Sequence, residues 1–410
     1  MRGKKRRPLS FFLLLGPGVL AAMADNDAGG LISYTVTGAK FGWAVFVPLA
    51  LCLTAVTYTV QEMAMRLGVA SEKGYTSLLR ERYGAGWTAL QVAALFAENQ
   101  LTLLTEFVGM SVGLELLGFP VPAAVALSVC LALSIAVFSG YESKQRFGLA
   151  IGLFNLLFLV LALFARPTIG AAQSVQLCAG RPFLWYTAAL VGNAVAPWMI
   201  FYQSEAYSES GQRSRRIRSG RRDTLIGCVC QAAVAAALIF IGSSLGGMIP
   251  NVENAGAPQI VAALDSRYGP LAGTLFALGL FDSGLLATVT VSLSSSWSVA
   301  ESLGWSKSMS DSFREAPGFY GVYAFSVLLA AGMALVPCLR LNGIAVFVQA
   351  AGGVLMTPIL IFLTLLTSNR EVMGEYVNTP RRKLRAWGCA VLLTAVSILT
   401  AALAFRPPNA

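Results

Sequence analysis

The sequence predicts an all-α integral membrane protein, and two features of its composition support this class. Of its 410 residues, 56% are hydrophobic and only 12% are charged, whereas a soluble domain is about a quarter charged. Apolar runs near the roughly 20 residues that cross a bilayer recur from end to end. Because no polar stretch is long enough to fold alone, we expect one transmembrane domain over residues 1–410.

The distribution of basic residues is a third observation, and it supports eleven spans in a cell membrane. The predicted spans are 10–37, 43–66, 89–116, 121–139, 148–166, 184–208, 223–246, 269–303, 317–337, 342–368 and 386–405. With the N-terminus inside, 24 of the 30 Lys and Arg residues fall on the cytoplasmic side. The positive-inside rule therefore predicts a cytoplasmic N-terminus and an external C-terminus. The basic run at 213–222 is then a cytoplasmic anchor between two spans.

The absence of histidine narrows the chemistry, because it removes the commonest general base and proton shuttle. The run from Gly109 to Gly113 matches the G-x-S-x-G pattern of hydrolases, but Ser111 has no histidine to activate it. The same residues form a GxxxG helix-packing motif, which we favour. We predict that the protein is not an enzyme, needs no cofactor, binds no nucleic acid and is a monomer in the lipid bilayer.

Two predicted spans are interrupted at matching places. Span one breaks over residues 25–30, where Asp25, Asn26 and Asp27 are followed by two glycines that permit unwinding. Span six breaks within VGNAVAPWMIFYQSEA, residues 191–206, which contains Pro197. The interruptions lie five spans apart, and five is odd, so the halves 1–166 and 184–368 form an inverted repeat. An extra helix at 386–405 follows. Broken helices at matching places of inverted repeats indicate a transport site at the membrane midplane, and a carboxylate there indicates a cation.

Several blocks of this sequence resemble the Nramp divalent-metal transporters. The stretch GPGVLAAMADNDAGGLISYTVTGA, residues 16–39, is similar to the family's first helix. The stretches QEMAMRLGVASEKG (61–74), TEFVGMSVGLELLGFP (105–120) and LTSNREVMG (366–374) are similar to its second, third and tenth spans. The resemblance covers spans one to ten, and it implies the LeuT-type fold with broken helices 1 and 6.

The resemblance also implies a metal site, and this sequence departs from the family there. Asp27 matches the family's aspartate, but Gly30 stands at its asparagine and Ala196 at its methionine. Asn193 is the residue whose carbonyl would bind the metal. Without the soft thioether the site holds only oxygen donors, and it is wider. A mostly hydrated Mg²⁺ suits such a site, with Mn²⁺ also accepted, as in the Nramp-related magnesium transporters.

The resemblance bears on proton coupling as well. The histidine after the proline of span six is replaced by Trp198, and the aspartate of span three by Leu103. We therefore expect uptake without obligatory proton coupling, driven by the membrane potential. Two alternatives stay open: a proton-coupled Mn²⁺ or Fe²⁺ transporter of this family, and an amino-acid carrier of the same fold. The second is disfavoured because Asp27 would repel a substrate carboxylate.

Further polar or bulky residues are candidates for the vestibule or pathway. They are Asp25, Asn26, Asn99, Glu106, Trp198, Tyr202, Gln203, Asp282 and Gln349. Asp25 either attracts cations or caps freed backbone donors, and Glu106 is either a charge beside the ion path or a structural acceptor of hydrogen bonds. Asp282 could bond broken backbone or form a second cation site. Gln349 is a weak candidate for the family's glutamine of span ten, because its spacing to Pro358 fits the family poorly.

Overall fold

A computed structural model describes residues 16–138, 148–209, 213–306, 313–336 and 344–404, and these ranges are mostly helical, without β-strands. The helices of the first half are α1 Pro17–Ala24, α2 Ala28–Phe41, α3 Phe46–Ser71, α4 Tyr75–Tyr83, α5 Ala85–Leu116, α6 Val121–Phe138, α7 148–152, α8 Leu157–Phe164 and α9 Ala171–Leu177. Those of the second half are α10 Gly180–Ala194, α11 Pro197–Ser208, α12 Arg213–Ser243, α13 Ala257–Tyr268, α14 Pro270–Leu303, α15 Pro317–Ala334, α16 Ile344–Ser368, α17 Arg370–Met373 and α18 Pro380–Ala404.

Each of the eleven predicted spans is mostly helical where the structure describes it, with interruptions in spans one and six. Within the described residues, seven helices are long and apolar enough to cross a membrane, and two further apolar segments, Val121–Ala136 and Gly148–Phe164, are shorter. The other two predicted spans are the interrupted first span and α5, whose buried face carries carboxylates. The start of span one, residues 10–15, lies outside the described residues.

The GPG sequence at the start of α1 anchors that helix to α12. The backbone N–H groups of Gly16 and Gly18 donate to the two carboxylate oxygens of Asp223, at 2.6 and 2.7 Å. A Cβ atom at Gly16 would lie only 2.7 Å from Asp223 Oδ2. Glycine is thus needed so that a carboxylate from another helix can satisfy the free N–H groups of the α1 N-terminus.

The GxxxG motif of α5 packs helices together, as predicted. A Cβ at Gly109 would overlap the side chain of Ala28 on α2, and one at Gly113 would lie 2.5 Å from the carbonyl oxygen of Ala277 on α14. Ser111 is buried, and its hydroxyl donates to the carbonyl of Val108 at 2.9 Å. The close approach of three helices is the role of these glycines.

Both breaks are present, and each is shorter than the sequence indicated. Span one is non-helical over residues 25–27, so that Gly29 and Gly30 belong to the first turn of α2 instead of the break. In span six, Val195 (φ −145°, ψ 86°) and Ala196 (φ −85°, ψ 145°) separate α10 from α11, which begins at Pro197. Proline suits that first position because its missing N–H would be unpaired in any residue.

Candidate functional site

Asp27 lies at the centre of the candidate site, where the break of span one meets α2. It is the N-cap of α2, and its Oδ1 accepts the N–H of Gly30 at 2.5 Å. Its side chain is buried. The capping bond orients the carboxylate toward the helix N-terminus, where the helix dipole favours negative charge.

Gln349 of α16 is the second side chain at Asp27. Its Nε2 lies 3.2 Å from Asp27 Oδ1 and 3.1 Å from Oδ2. The structure thus brings together two residues that are far apart in sequence, one of which carried low weight in the sequence analysis. The contact requires small residues: a Cβ at Gly29 would lie 3.2 Å from Gln349 Nε2, and one at Gly192 would overlap the Gln349 carbonyl oxygen.

Asn193 of α10 lies on the other side of Gly30. A Cβ at Gly30 would be 2.8 Å from Asn193 Nδ2, 3.1 Å from its Oδ1 and 3.0 Å from Asp27 Oδ1. Gly30 stands where the resemblance places an asparagine. The space that this missing side chain leaves lies directly against the Asn193 amide. Asp27, Gly30 and Asn193 lie together, and the part of Asn193 that borders Gly30 is its side-chain amide, whereas the resemblance implies its carbonyl. That these residues bind a metal stays a prediction.

Ala196, the fourth predicted site residue, is the N-cap of α11 and is buried at the break of span six. Its carbonyl accepts the N–H of Met199 at 3.2 Å. The thioether of Met199 accepts a hydrogen bond from Gln61 Nε2 at 3.9 Å, on the side facing α3.

Glu106 of α5 holds the N-terminus of α2. Its Oε2 accepts the N–H of Ala28 at 2.9 Å, and its Oε1 accepts the hydroxyl of Thr105 at 3.3 Å. Two of the free N–H groups of α2 are thus satisfied by two carboxylates, Glu106 for Ala28 and Asp27 for Gly30. These are the hydrogen bonds of a structural acceptor. A role for the Glu106 charge beside the ion path stays a prediction.

Asp25 connects the two helix breaks through a residue that the sequence analysis missed. Gln231 of α12 donates from Nε2 to Asp25 Oδ2, and the same nitrogen lies 3.4 Å from the carbonyl oxygen of Ala194. Thr57 of α3 also donates to that carbonyl, at 2.9 Å. Gln231, Thr57 and Ala194 line a cavity of about 10 Å³, which has room for about one water molecule. The sequence could have indicated Gln231, because its side chain is a lone amide inside an apolar span.

Glu98 is a second site residue that the sequence analysis did not select. It is buried on α5, where Oε1 accepts the hydroxyl of Thr102 at 3.1 Å and Oε2 has no partner among the described residues. A Cβ at Gly352 would lie 3.2 Å from Glu98 Oε1 and 3.9 Å from Pro197. Glu98 therefore stands where α5, α16 and the break of span six meet.

The site carries four buried carboxylates without a basic partner. Asp27 is within electrostatic range of Glu98 and Glu106, and Asp25 is within range of Asp27. In the part of the chain that the structure describes, no Lys or Arg forms an ion pair with any of them. Buried negative charge needs compensation, and a cation would supply it.

The other predicted pathway residues are buried near the breaks. Asn26 has no hydrogen-bond partner for either side-chain atom among the described residues. Trp198 packs edge-on against Tyr202 at 6.2 Å between ring centres, and Tyr202 packs against Trp297 at 5.6 Å. Gln203 donates to the hydroxyl of Thr224 at 3.0 Å.

Among the described residues, Asn99 and Asp282 form no hydrogen bond with Asp27. Asn99 donates to the hydroxyls of Ser294 and Ser295 on α14, at 3.0 and 2.8 Å. Asp282 is partly exposed on α14, with no site carboxylate within electrostatic range. Its neighbour Ser283 donates to Asn155 at 2.7 Å. These contacts do not connect the two residues to the candidate site.

A family model described as natural resistance-associated macrophage protein-like matches residues 18–403. The chain belongs to the Nramp family. The resemblance seen in the separated sequence blocks is therefore confirmed across almost the whole chain. Its similarity to the Nramp-related magnesium branch stays a prediction.

Curated Nramp relatives are similar to this chain over nearly its full length. The divalent metal cation transporter MntH of Deinococcus radiodurans is 26% identical, with 96% of this chain and 89% of that protein aligned. MntH of Staphylococcus haemolyticus is 24% identical, over 96% of this chain and 92% of that protein. MntH of Bacillus subtilis is 22% identical, over 98% and 95%.

Solved structures confirm the fold expected for an Nramp protein. The crystal structure of the Eremococcus coleocola manganese transporter in complex with an aromatic bis-isothiourea substituted compound has a TM-score of 0.78 at 16% identity, covering 100% of this chain and 91% of that one. MhsT in complex with L-phenylalanine has a TM-score of 0.63 at 14% identity, covering 99% and 100%. The predicted LeuT-type architecture is thus confirmed.

Proposed function

We propose that this Nramp protein transports Mg²⁺ across the cell membrane, holds it largely hydrated beside Asp27, accepts Mn²⁺ as well, and does so without obligatory proton coupling. Family membership supports divalent metal transport, and the curated relatives are named divalent metal cation transporters. The observation that carries the choice of ion is the donor set: the Gln349 amide bonds to the Asp27 carboxylate, and both Asp27 and the Asn193 amide border the space at Gly30.

The absence of sulfur from this donor set supports a hard cation. Ala196 stands at the position of the family's methionine, and the thioether of Met199 is bonded to Gln61 on the side facing α3. Carboxylate and amide oxygens suit Mg²⁺ and Mn²⁺, whereas a thioether favours softer transition metals.

Hydration is supported by the number of buried acceptors around the breaks. Water bound to a cation donates hydrogen bonds, so a hydrated ion needs acceptors for its waters more than it needs ligands in direct contact with the metal. Asn26 Oδ1 and Gln231 Oε1 are buried and have no partner within the described residues. Together with one carboxylate oxygen of Asp27, they provide such acceptors. Magnesium usually keeps several waters and takes one or two carboxylates.

The uncoupled mechanism is supported by two side chains that cannot carry a proton. Leu103 is fully buried on α5, and Trp198 is buried in contact with Tyr202. They stand at the positions where the resemblance places an aspartate and a histidine.

The test uses the full chain in proteoliposomes with a magnesium-sensitive dye inside. We expect concentration-dependent Mg²⁺ influx that Asp27→Asn reduces at least tenfold, because the carboxylate at the centre of the site is lost. Asp265→Asn on α13 is the matched control, since Asp265 is exposed and outside the site, and its influx should equal that of the wild type. Equal influx in wild type and Asp27→Asn would remove Asp27 from the mechanism.

A second dye that reports lumen pH separates the two family mechanisms. Under a Mg²⁺ or Mn²⁺ gradient we expect uptake with no acidification of the lumen. Acidification that scales with Mn²⁺ uptake, together with weak Mg²⁺ uptake, would instead support the proton-coupled manganese alternative. We retain this alternative because a structural neighbour of the chain is the Eremococcus coleocola manganese transporter.

We also propose a cytoplasmic N-terminus and an external C-terminus, which the asymmetry of 24 against six basic residues supports. Protease-cleavable tags on each end, probed in intact cells, test the orientation. Cleavage of the N-terminal tag from outside would contradict it. The monomeric state stays a prediction.

A further inference from the structure

A cavity of about 160 Å³ lies away from the metal site, at the ends of α3, α12 and α18 that the positive-inside rule places in the cytoplasm. The residues that matter here are Tyr58, Glu62, Arg66, Arg221, Arg382 and Arg385. Four arginines and one glutamate thus share a single concave surface. The metal site and the proposed transport mechanism use none of them.

Two of these arginines are held in place by Glu62. Arg66 is fully buried, donates from Nε to both Glu62 oxygens at 3.0 and 3.2 Å, and donates from its terminal nitrogens to the Tyr376 carbonyl and to Asn378 Oδ1, each at 2.6 Å. Arg221 donates to Glu62 Oε1 at 2.9 Å. One carboxylate therefore serves two guanidinium groups and neutralises only one of their charges.

The other two arginines supply further uncompensated positive charge. Arg382 and Arg385 belong to the first turns of α18, and their side chains form no ion pair among the described residues. The positive end of the α18 dipole lies at the same place. The cavity thus has an excess of three positive charges and planar guanidinium donors, which match the geometry of phosphate oxygens.

The surroundings of the cavity indicate where a phosphate would come from. Along α18, Leu384 is 76% exposed, Val391 67% and Ile398 66%. This apolar face begins next to Arg385 and runs toward the other end of the helix, so in a membrane lipid chains cover it. A single phospholipid can place its phosphate in the cavity and its acyl chains along α18.

We propose that this cavity binds the phosphate headgroup of an anionic phospholipid from the cytoplasmic leaflet, with its acyl chains along α18. Basic pockets between helices on the cytoplasmic side are suited to such headgroups. The bound lipid joins α3 of the first repeat, α12 of the second and the extra helix α18, and it therefore stabilises their association.

The test measures thermal unfolding of the purified full chain by tryptophan fluorescence in mixed micelles. Phosphatidylglycerol should raise the apparent Tm in a saturable way, whereas phosphatidylcholine and millimolar inorganic phosphate should not. The pair Arg382→Gln/Arg385→Gln should need about 30-fold more phosphatidylglycerol for half of the effect, since two charges near the headgroup are lost.

The matched control is Arg381→Gln/Lys383→Gln, which removes two charges from the same helix turn but outside the cavity. It should respond to phosphatidylglycerol like the wild type. An equal loss in the control pair would mean diffuse charge attraction, and an equal response to inorganic phosphate would mean a soluble anion; either result overturns the proposal.

A measurement on the wild type alone keeps the proposal testable if the glutamine pair does not fold. Native mass spectrometry from micelles with equal amounts of both lipids should retain one phosphatidylglycerol per chain. Equal retention of phosphatidylglycerol and phosphatidylcholine would also overturn the proposal.

Discussion

Ala196 is the N-cap of α11 and stands where the Nramp resemblance places a methionine. If the ion is chosen by the hardness of its donors, Ala196→Met should raise the ratio of Mn²⁺ to Mg²⁺ uptake by about tenfold, because a thioether binds the softer ion better. Competition between the two ions in the proteoliposome assay measures this ratio.

Ala196→Leu is the control for the methionine substitution, because leucine and methionine differ little in volume. Leucine adds the same bulk without sulfur, so it should lower the uptake of both ions and leave their ratio unchanged. An equal change of the ratio in both variants would mean that size, and not sulfur, selects the ion.

Glu106 accepts the N–H of Ala28 and so holds the half-helix that carries Asp27. Glu106→Gln keeps an oxygen acceptor, and we expect it to retain most of the stability and measurable uptake. Glu106→Ala leaves a buried N–H unsatisfied at a cost of about 1–3 kcal/mol, so its apparent Tm and its uptake should both fall. A glutamine variant as inactive as the alanine variant, with wild-type Tm, would instead show that the charge itself is required.

At the scale of helices, the site depends on the close approach of α10 and α16. Gly192 faces the Gln349 carbonyl, and the backbone of Gly353 lies nearby. In Gly192→Ala the added methyl group must push the helices apart, at about 1–3 kcal/mol for overpacking. We expect an apparent Tm about 2–6 °C lower and weaker uptake, because Gln349 moves away from Asp27.

Gly321→Ala on α15 is the matched control for this substitution. No atom lies within 4 Å of a Cβ built at Gly321, so alanine should keep or slightly raise the Tm through its higher helix propensity. Unchanged stability and uptake in Gly192→Ala would show that the packing of α10 on α16 does not position Gln349.

At the scale of the whole molecule, the membrane potential should drive uptake. A divalent ion gains about 4.6 kcal/mol at 100 mV, twice the value for a single charge, which corresponds to about a 10³-fold accumulation. A potassium diffusion potential set with valinomycin, negative inside, should therefore accelerate Mg²⁺ influx, and a reversed potential should slow it. Influx that follows an imposed pH gradient and ignores the potential would contradict the uncoupled mechanism.

The sequence by itself determined the class of the protein, its fold and its two broken helices, and it predicted Asp27 as the centre of the site. These are local signals: apolar length, basic loops, a proline and a carboxylate inside an apolar run each report on their own segment. The family model and the structural neighbours confirm the class and the fold that these signals predicted. The sequence also predicts that the two glycines after Asp27 unwind the helix, and this prediction was wrong, since both lie in the first turn of α2.

Only the tertiary structure decided what surrounds Asp27. Gln349, Glu106 and Gln231 reach the breaks from α16, α5 and α12, and no spacing along the chain predicts which helices meet there. Gly29 and Gly30 are helical because Asp27 caps the turn, and they are glycines because amides from two other helices press against them. A local sequence pattern reports how one helix folds, whereas a binding site is made where several helices pack.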